Sequence, residues 1–303
     1  MVNAFHSRLQ EAAGKDAVRT QEMMNRHTTF RVGGPASYYV TPGDETALAE
    51  VIRLCRAENV PYYIIGNGSN LLVSDEGYDG VIISMGENFC GCRVEDARII
   101  AGSGALLSRI AKAALEASLT GFEFAAGIPG SLGGAVVMNA GAYGSEMKCV
   151  LESARVMKPD GGTVALSGEE LELGYRTSCV VSKEYIVLEA VLSLQQGDQA
   201  EIRRRMEELA RQRKEKQPLE YPSAGSTFKR PAGYFAGKLI QDSGLRGFSC
   251  GGAQISEKHC GFVINKEKAT AADVMNLCRA VRERVKDQFG VELEMEVRTL
   301  GRF

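Results

Sequence analysis

One serine stands beside two cations late in the sequence, where it could act in catalysis or in binding. The segment AGSTFKRP, residues 224–231, contains Ser226, Lys229 and Arg230. A nucleophilic serine needs a general base, and neither a GxSxG nucleophile elbow nor a motif-linked histidine accompanies Ser226. The histidines of the chain are His6, His27 and His259. Residue types alone therefore indicate that Ser226 is an ordinary loop hydroxyl. They leave two interpretations of Lys229 and Arg230, a solvated pair of cations or an anion-binding site.

Two glycine-rich segments could bring the backbone close to a phosphate, because N–H groups approach an anion closely only where side chains are absent. The first, GNGSNLL, begins at Gly66, and the second, GFEFAAGIPGSLGGAVVMNAGAYG, covers residues 121–144. The first is not GxGxxG, since Leu71 stands where the third glycine should be, and it lacks the Gly-Lys-Ser/Thr ending of a P-loop. Either segment alone could be a turn or a packing loop. Two of them in one half of the chain favour a nucleotide-type ligand.

The spacing of cysteines and histidines does not indicate a metal site. Cys90 and Cys92 form a close pair without a second pair, and His259 beside Cys260 gives two adjacent residues rather than a four-ligand set. The other cysteines are isolated, several within apolar runs, where a reduced thiol acts as a small hydrophobic side chain. This usage is typical of a reducing compartment, and we expect no bound metal.

The composition is that of an ordinary globular protein with room for about two domains. The 303 residues are 44% hydrophobic and 24% charged, with a formal net charge of −2. Nucleic-acid-binding proteins usually carry a strong basic excess, so a nucleic-acid partner is not expected. The polar N-terminus has no apolar signal core, and no stretch reaches the roughly 20 apolar residues of a membrane span. We expect a cytoplasmic protein that does not contact membranes.

Helical and strand patterns alternate along the chain and indicate an α/β or α+β fold. Amphipathic patterns predict helices over residues 45–59 and 105–118, with apolar strand patterns beside them. A strongly charged helix should begin after Asp198 and end before Pro218. That helix marks the best candidate for a domain boundary.

The C-terminal pattern predicts one capped helix and a final strand. Thr270 and Asp273 form a capping-box pattern ahead of a helix over residues 271–289, which should end at Gly290. Apolar and polar residues then alternate through VELEMEVRTLG, which predicts a strand. On the pattern alone its glutamates share one solvated face: Glu292, Glu294 and Glu296.

Eight motifs that occur in order carry a more specific signal. They are RHTTFRVGGPA at residues 26–36, IGNGSNLLVSDEG at 65–77, the glycine-rich segment at 121–144, YRTS at 175–178, SAGSTFKRP at 223–231, AGKLIQDSGLRG at 236–247, GGAQISEKHCGFVIN at 251–265 and LEMEVRTLG at 293–301. Together they closely resemble the UDP-N-acetylenolpyruvoylglucosamine reductase family, the flavoenzymes of bacterial peptidoglycan precursor synthesis. The resemblance runs from about Arg26 to Gly301.

The resemblance implies an α+β protein with an FAD-binding fold of the vanillyl-alcohol-oxidase (p-cresol methylhydroxylase) type. Two FAD-binding subdomains would cover residues 1–86 and 87–197, and a C-terminal α+β substrate domain residues 198–303. FAD would be held non-covalently, since no histidine or cysteine stands out for attachment. The resemblance assigns FAD binding to the two glycine-rich segments: Gly66, Asn67, Gly68, Ser69, Asn70, Leu71, Gly127, Ile128, Pro129, Gly130, Ser131, Gly133, Gly134, Asn139 and Gly141.

The resemblance also assigns catalytic roles to Arg176, Ser226 and Glu296. The implied substrate is an enolpyruvyl ether of UDP-N-acetylglucosamine, and NADPH is the co-substrate that reduces FAD. Arg176 would bind the substrate carboxylate and Ser226 would donate a proton. Glu296 would hydrogen-bond the intermediate, in protonated form if it is buried beside that carboxylate. Further substrate-binding candidates are Lys229, Arg230 and Gln241.

The short interval between Ser226 and Glu296 resembles the compact subtype of the family, which lacks an inserted element carrying a tyrosine over the substrate. Lys229 and Arg230 could then meet the diphosphate, although a solvated loop explains two adjacent cations equally well. Two alternatives to the reductase are a flavin oxidase of the same fold and a non-catalytic sensor of flavin or nucleotide sugar. We expect a monomer whose partners are the UDP-sugar substrate and NADPH.

Overall fold

Helices and short strands alternate through the protein. The computed structural model describes residues 4–303. The helices within that range are α1 (Ala4–Ala13), α2 (Glu45–Ala57), α3 (Leu107–Glu116), α4 (Leu132–Met138), α5 (Cys179–Ser182), α6 (Gln199–Lys216), α7 (Ala236–Asp242) and α8 (Ala271–Phe289). The strands within it are β1 (Val18–Met23), β2 (Pro35–Val40), β3 (Tyr62–Ile65), β4 (Leu71–Val73), β5 (Tyr78–Ser84), β6 (Cys92–Glu95), β7 (Arg98–Gly102), β8 (Leu119–Thr120), β9 (Gly141–Ala142), β10 (Ser145–Glu146), β11 (Leu151–Met157), β12 (Thr163–Ser167), β13 (Ile186–Ser193), β14 (Gln195–Gln196), β15 (Ser249–Cys250), β16 (Ala253–Ile255), β17 (Val263–Asn265) and β18 (Arg298–Leu300). None of the helices between Ala4 and Phe303 combines the length and apolarity needed to cross a membrane.

The chain forms two compact units, each built from separated segments. The first contains the described part of Met1–Thr20 with Tyr38–Asn67 and Gly80–Arg213, and the second contains Gln21–Ser37, Gly68–Asp79 and Lys214–Phe303. Two N-terminal segments thereby belong to the same unit as the C-terminal residues. The division into three consecutive domains at residues 86 and 197 stays a prediction.

One core of the first unit lies around α2 and a parallel strand pair. β3 pairs in parallel with β5, in a four-stranded sheet of order β1-β2-β5-β3. Asp44 caps α2 by accepting a hydrogen bond from the N–H of Ala47. The predicted apolar face of the helix is buried and includes Leu48 and Val51. The helix predicted after residue 44 is therefore confirmed in type and position.

A second core of the first unit lies under a five-stranded antiparallel sheet of order β12-β11-β13-β7-β6. The helices α3 and α4 pack on it. Asp160 and Gly161 form the turn between β11 and β12. Gly161 has φ +87°, and Asp160 Oδ1 accepts a hydrogen bond from the N–H of Gly162 at 2.9 Å. A positive φ is easily adopted by glycine, which is why an Asp-Gly pair signals a hairpin.

The second unit is built around α8 and a three-stranded sheet of order β15-β16-β17. The predicted capping box is present at the start of α8, where Thr270 accepts from the N–H of Asp273 and Asp273 accepts from the N–H of Thr270. The helix ends at Gly290, which has φ 69°. One face of the helix is buried in the core: Val274, Leu277, Val281 and Val285.

The final strand is shorter than the sequence predicts. Only Arg298–Leu300 is a strand, and it pairs in parallel with Leu71–Val73. The prediction is wrong for residues 291–297, which lie against the irregular segment 227–229 and share with it an isolated β-bridge. An alternating pattern produces a regular strand only where a neighbouring strand offers a continuous ladder of hydrogen bonds.

The N-terminus of α8 provides a test of stability. Asp75 accepts hydrogen bonds from the N–H groups of Ala271 at 2.7 Å and Ala272 at 2.9 Å. Because these donors have no acceptor within the helix, Asp75→Ala should lower the free energy of unfolding by about 0.5–2 kcal/mol, measured by urea titration. Glu76→Ala removes the same charge from the next, exposed residue and should change it by less than about 0.5 kcal/mol. Equal losses in the two variants would contradict the capping role.

Candidate functional site

Thr227 joins the segment of Ser226 to two other segments of the second unit. Its side chain is only 1% exposed. The N–H of Thr227 donates to the carbonyl of Gly261 at 2.9 Å, and its carbonyl accepts from the N–H of Glu296 at 2.8 Å. Its Oγ1 accepts from the N–H of Val263 at 2.9 Å. Because all three polar groups of a buried residue are hydrogen-bonded, Thr227 fixes the backbone on which Ser226 stands relative to that of Glu296.

Glu296 has a different environment from the two glutamates that alternate with it. Glu292 and Glu294 are exposed and form ion pairs with Lys286 and Lys229. The charge-assisted hydrogen bond from Lys286 holds the pKa of Glu292 below its usual value. Glu296 is partly buried. The solvated face predicted from alternation is therefore exposed at Glu292 and Glu294 and only partly exposed at Glu296.

Asn70 holds the backbone of Glu296 from another side. Its Nδ2 donates to the carbonyl of Glu296 at 3.0 Å. The carbonyl of Asn70 in turn accepts from the N–H of Arg298 at 3.1 Å, where the parallel pairing of β4 with β18 begins. The side-chain amide of Asn70 thus positions the glutamate. Its contact with the cofactor, expected from the sequence, stays a prediction.

Arg176 lies at the tip of a tight turn in the first unit. Gly174 and Thr177 close the turn as a β-bridge, and Arg176 has φ +57°. This conformation costs a residue with a Cβ atom roughly 1–2 kcal/mol. Hydrogen bonds to both ends of the turn hold it in place. Asn139 Nδ2 donates to the carbonyl of Gly174 at 3.1 Å, and Ser178 Oγ donates to a carbonyl of α4 at 2.9 Å. These bonds fix the backbone of Arg176, and its binding of a substrate carboxylate stays a prediction.

Gly66 and Asn67, the part of the first glycine-rich segment that belongs to the first unit, meet the second segment. Asn67 Nδ2 donates to the carbonyl of Pro129 at 2.6 Å. A Cβ atom on Gly66 would lie 2.0 Å from Ser131 Oγ, so a side chain here would force that hydroxyl to move. The exposed residues among those predicted to bind the cofactor are Gly66, Asn67, Gly127, Pro129 and Gly134. Exposed glycine backbone can contact a phosphate or a flat ring closely, so these residues fit a dinucleotide cofactor.

Other predicted cofactor residues are buried and shape the two loops. The N–H of Gly133 donates to the carbonyl of Ser103 at 2.8 Å, and a Cβ atom on Gly133 would lie 2.8 Å from Ser103 Cβ. Asn139 is fully buried, has φ 45° and accepts from the N–H of Lys148 at 2.9 Å. Gly68, Leu71 and Ser131 are likewise buried, and Ser69, Asn70, Ile128, Gly130 and Gly141 are partly buried. Direct contact of these residues with a cofactor stays a prediction.

Arg213, near the end of α6, lies against the second glycine-rich segment. A Cβ atom on Gly127 would lie 3.1 Å from Arg213 Cδ and 3.4 Å from its Nη1. Burial lowers the pKa of the Arg213 guanidinium, an effect that the neighbouring Tyr143 partly offsets. An arginine nevertheless stays protonated in proteins. The structure thus places a positive charge beside the exposed backbone of Gly127.

The further substrate-binding candidates lie in the second unit and already have partners. Lys229 forms an ion pair with Glu294. The guanidinium of Arg230 lies 3.9 Å from the ring centroid of Phe235, a cation–π contact. Gln241 accepts a hydrogen bond at 2.7 Å from an arginine five residues later. Lys229 and Arg230 share a loop with Ser226, and contact of these three candidates with the substrate stays a prediction.

His259 is a packed residue. Its Nδ1 accepts from the N–H of Gly261 at 3.1 Å, and its ring lies edge-on to Phe262 with centroids 4.9 Å apart. Burial lowers the pKa of His259, which favours the neutral imidazole. Burial also raises the pKa of the Cys55 and Cys278 thiols to about 12, so these cysteines are unreactive. Across residues 4–303, no group of three or more His, Cys, Asp or Glu side chains is arranged to hold a metal ion.

The roles of Thr227 and Arg213 are not predicted from the sequence. A loop threonine carries no periodic signal, and its three hydrogen bonds come from residues far along the chain. Arg213 is one of several cations in the stretch RQRKEK. The one sequence signal that could have found Thr227 is its position directly after Ser226. For Arg213 the spacing offers no such signal.

Two family models match the chain. The model described as "FAD binding domain" matches residues 36–167, a range that contains both glycine-rich segments. The model described as "UDP-N-acetylenolpyruvoylglucosamine reductase, C-terminal domain" matches residues 217–300, which include Ser226 and Glu296. The two matches together cover more than half of the chain.

Named relatives are similar over nearly the whole chain. The UDP-N-acetylenolpyruvoylglucosamine reductase of Clostridium perfringens strain SM101 is 54% identical, and the alignment covers 98% of each chain. The crystal structure of UDP-N-acetylenolpyruvylglucosamine reductase from Thermus caldophilus is 38% identical and has a TM-score of 0.80. That alignment covers 94% of this chain and 100% of the Thermus chain.

A more distant solved structure shares the fold alone. Alkyldihydroxyacetonephosphate synthase is 16% identical, with a TM-score of 0.50 over 65% of this chain and 41% of the synthase chain. Together with the match to the FAD binding domain and the Thermus structure, this likeness confirms the predicted fold class. The protein is α+β with an FAD-binding fold of the vanillyl-alcohol-oxidase type.

The hydroxyl of Thr227 offers a test of the junction that it forms. Thr227→Val keeps the shape of the side chain but leaves the buried N–H of Val263 without its acceptor. We expect the free energy of unfolding to fall by about 1–3 kcal/mol, measured by urea titration. Thr227→Ser keeps the hydroxyl and loses only a methyl group, so the free energy of unfolding should fall by about 1 kcal/mol. A valine variant more stable than the serine variant would contradict the role of the hydrogen bond.

Proposed function

The chain belongs to the UDP-N-acetylenolpyruvoylglucosamine reductase family, and from that premise we propose how its own residues divide the work of the reaction. It is an FAD-binding oxidoreductase that reduces the enolpyruvyl group of UDP-N-acetylenolpyruvoylglucosamine in peptidoglycan precursor synthesis. The observation that carries the proposed division is the hydrogen bonding of Thr227, which ties the segment of Ser226 to that of Glu296.

The substrate defines three tasks. Its carboxylate is conjugated with the carbon–carbon double bond, so hydride addition at the terminal carbon moves an electron pair onto the carboxyl group. The resulting enolate-like dianion must be stabilised, and the carbon that bears the ether oxygen then takes up a proton. The product is the lactyl ether, UDP-N-acetylmuramate. The site therefore needs a hydride donor, a cation at the carboxylate and an acid beside the second carbon.

We assign the cofactor to the surface where the two glycine-rich segments meet. FAD, when bound there, supplies the hydride from its N5 atom and is reduced again by NADPH. The exposed backbone of Gly66, Gly127 and Gly134 gives a large ligand close access to main-chain N–H groups. The hydrogen bond from Asn67 to Pro129 keeps the two loops together before the ligand arrives. A preformed surface of this kind reduces the ordering cost of binding.

Arg176 binds the carboxylate of the substrate. A planar guanidinium can donate two parallel hydrogen bonds to a carboxylate, and its charge stabilises the extra electron pair that forms there. The bonds from Asn139 and Ser178 hold the turn of Arg176 in its strained conformation. Holding the cation in place before the reaction means that little reorganisation is needed as the charge develops.

Ser226 donates the proton. A serine hydroxyl is a weak acid, but an enolate-like dianion is a strong base, so proton transfer needs no histidine to activate the serine. The side chain of Ser226 is exposed, so water can return the proton to its oxygen after each turnover. Its backbone is fixed through Thr227, which keeps the hydroxyl directed at one carbon of the substrate.

Glu296 completes the site by hydrogen bonding to the intermediate. It is partly buried, and its backbone is held by Thr227 and Asn70. A protonated carboxyl group could donate a hydrogen bond to the growing charge on the substrate carboxylate. Glu292 and Glu294, which are exposed and ion-paired, are not suited to this role.

The nucleotide end of the substrate contacts the loop that follows Ser226. We assign the diphosphate to Lys229 and Arg230, whose present partners are an exposed glutamate and an aromatic ring. Gln241 is assigned a weaker contact. The UDP-sugar substrate and NADPH are both water-soluble small molecules, and we propose a cytoplasmic monomer.

An anaerobic colour change distinguishes the reductase from the flavin oxidase and the sensor. NADPH should bleach the bound flavin, and UDP-N-acetylenolpyruvoylglucosamine, added without oxygen, should restore the yellow colour and yield UDP-N-acetylmuramate. An oxidase would regain its colour only with oxygen, and a sensor would not cycle. Flavin that stays bleached after addition of the substrate would overturn the proposal.

The role of Ser226 predicts an unequal effect on the two half-reactions. Ser226→Ala should leave the reduction of FAD by NADPH nearly unchanged, because no proton from the serine is needed in that step. It should slow the reoxidation of the flavin by substrate about 10²–10⁴-fold, measured by anaerobic stopped-flow absorbance. Ser108→Ala, on the exposed face of α3, is the control and should change neither rate. Equal slowing of both half-reactions by Ser226→Ala would argue against a proton donor.

The three alternating glutamates provide a second, matched test. Glu296→Ala should slow flavin reoxidation by about 10²–10³-fold, since it removes one group that stabilises the developing charge. Glu296→Gln keeps a hydrogen-bond donor and should recover part of that rate. Glu292→Ala, four residues away on the exposed side, should reoxidise at nearly the normal rate. The same loss in the Glu292 and Glu296 variants would show that the segment, rather than the carboxyl group of Glu296, matters.

A further inference from the structure

The partly buried guanidinium of Arg213 has no carboxylate beside it in the described part of the chain. Burial lowers its pKa, and Tyr143 is the neighbour that offsets this effect. Within residues 4–303, no hydrogen-bond acceptor or acidic side chain pairs with it. A desolvated cation without a partner costs free energy, because the water that it loses is not replaced.

Two other arginines of α6 differ from Arg213. Arg204 is paired with Glu201, and Arg205 is paired with Glu208, although both arginines are exposed to solvent. Exposed cations gain little from an ion pair. These two exposed cations thus have a carboxylate partner, whereas the partly buried Arg213 has none in the described part of the chain. Such a group is suited to an anion that comes from outside the chain.

Two segments of the first unit lie near Arg213 on α6. Gly127 is exposed, and its missing side chain leaves room for the arginine against the loop GIPG. Tyr143, from the motif NAGAYG, has φ +56° and donates its hydroxyl to the carbonyl of Leu209 at 3.3 Å, one turn before Arg213 on α6. The loop at Gly127 and the motif NAGAYG thus both lie near Arg213. Both contain residues assigned to the cofactor.

We propose that Arg213 binds a negatively charged group of the bound FAD. The inference rests on the proposed function, because it requires the loop beginning at Gly127 to hold the cofactor. FAD carries negative charge on its diphosphate, and its isoalloxazine ring also takes up negative charge when it is reduced. In either case the ligand chemistry is the same, an oxyanion that accepts hydrogen bonds from a guanidinium.

The affinity and potential of the cofactor test this role without reference to turnover. Apoprotein carrying Arg213→Met is titrated with FAD by flavin fluorescence, and the midpoint potential of the reconstituted protein is measured. If Arg213 faces the diphosphate, FAD should bind at least about tenfold more weakly in both redox states. Riboflavin, which lacks phosphate, should then bind as it does to the unsubstituted protein. If Arg213 faces the ring, the variant should bind reduced FAD more weakly while its affinity for oxidised FAD changes less. The midpoint potential should then fall by about 30 mV for each tenfold loss of affinity that is specific to reduced FAD.

Matched variants separate a local charge from a general effect. Arg211→Met removes the same charge from an exposed position two residues earlier and should leave both the FAD affinity and the potential unchanged. Arg213→Lys keeps the charge and should recover part of the affinity or potential. If circular dichroism shows that Arg213→Met does not fold, Arg213→Gln serves instead, because it removes the charge but keeps a polar side chain. It should change the affinity or the potential in the same direction.

Two results would overturn the inference. One is an Arg213→Met protein that matches Arg211→Met in both FAD affinity and midpoint potential. The other is a variant with normal affinity and potential that binds only the UDP-sugar more weakly, which would place Arg213 at the substrate. An unsubstituted apoprotein that does not bind FAD would instead contradict the proposed function itself.

Discussion

Thr227 is the residue on which the arrangement of reactive groups in the second unit depends. Ser226 must be exposed to meet a substrate and exchange its proton with water, yet an exposed loop serine has no fixed position of its own. The chain resolves this conflict by burying the next residue. The N–H, carbonyl and hydroxyl of Thr227 are all hydrogen-bonded, and one of these bonds reaches the backbone of Glu296. Asn70 holds the same glutamate from another side. The proposed proton donor and the proposed charge-stabilising group thus stand on connected backbone segments, held by groups that have no chemical role of their own in the proposal.

The first unit uses the same division between exposed and supporting groups. Arg176 is at the tip of a strained turn, and the buried Asn139 and Ser178 hold that turn against α4. The exposed glycine backbone of the two glycine-rich segments is likewise kept in place by a hydrogen bond from Asn67 to the carbonyl of Pro129. Support from buried neighbours lets the functional backbone stay accessible without being mobile, which is what preorganised binding and catalysis require.

Local signals in the sequence predict much of this fold, and contacts between distant residues account for what they miss. The capping box at Thr270 and the Asp160-Gly161 hairpin depend on neighbouring residues, so they are readable from a short window. The final strand fails because residues 291–297 meet an irregular partner, which no local pattern reveals. For the same reason, alternation cannot tell Glu296 from Glu294. Only the family motifs distinguish them, and the motifs do not disclose that Thr227 supports the site.

The most direct test of this account is the rate at which UDP-N-acetylenolpyruvoylglucosamine reoxidises the reduced flavin in Thr227→Val, compared with Thr227→Ser, by anaerobic stopped-flow absorbance. A hydroxyl that only stabilises the fold would leave the rate intact in molecules that remain folded. If Thr227 positions Ser226 and Glu296, the valine variant should reoxidise about 10²-fold more slowly than the serine variant, while both are reduced by NADPH at the normal rate. Equal reoxidation rates in the two folded variants would contradict the central role of this junction.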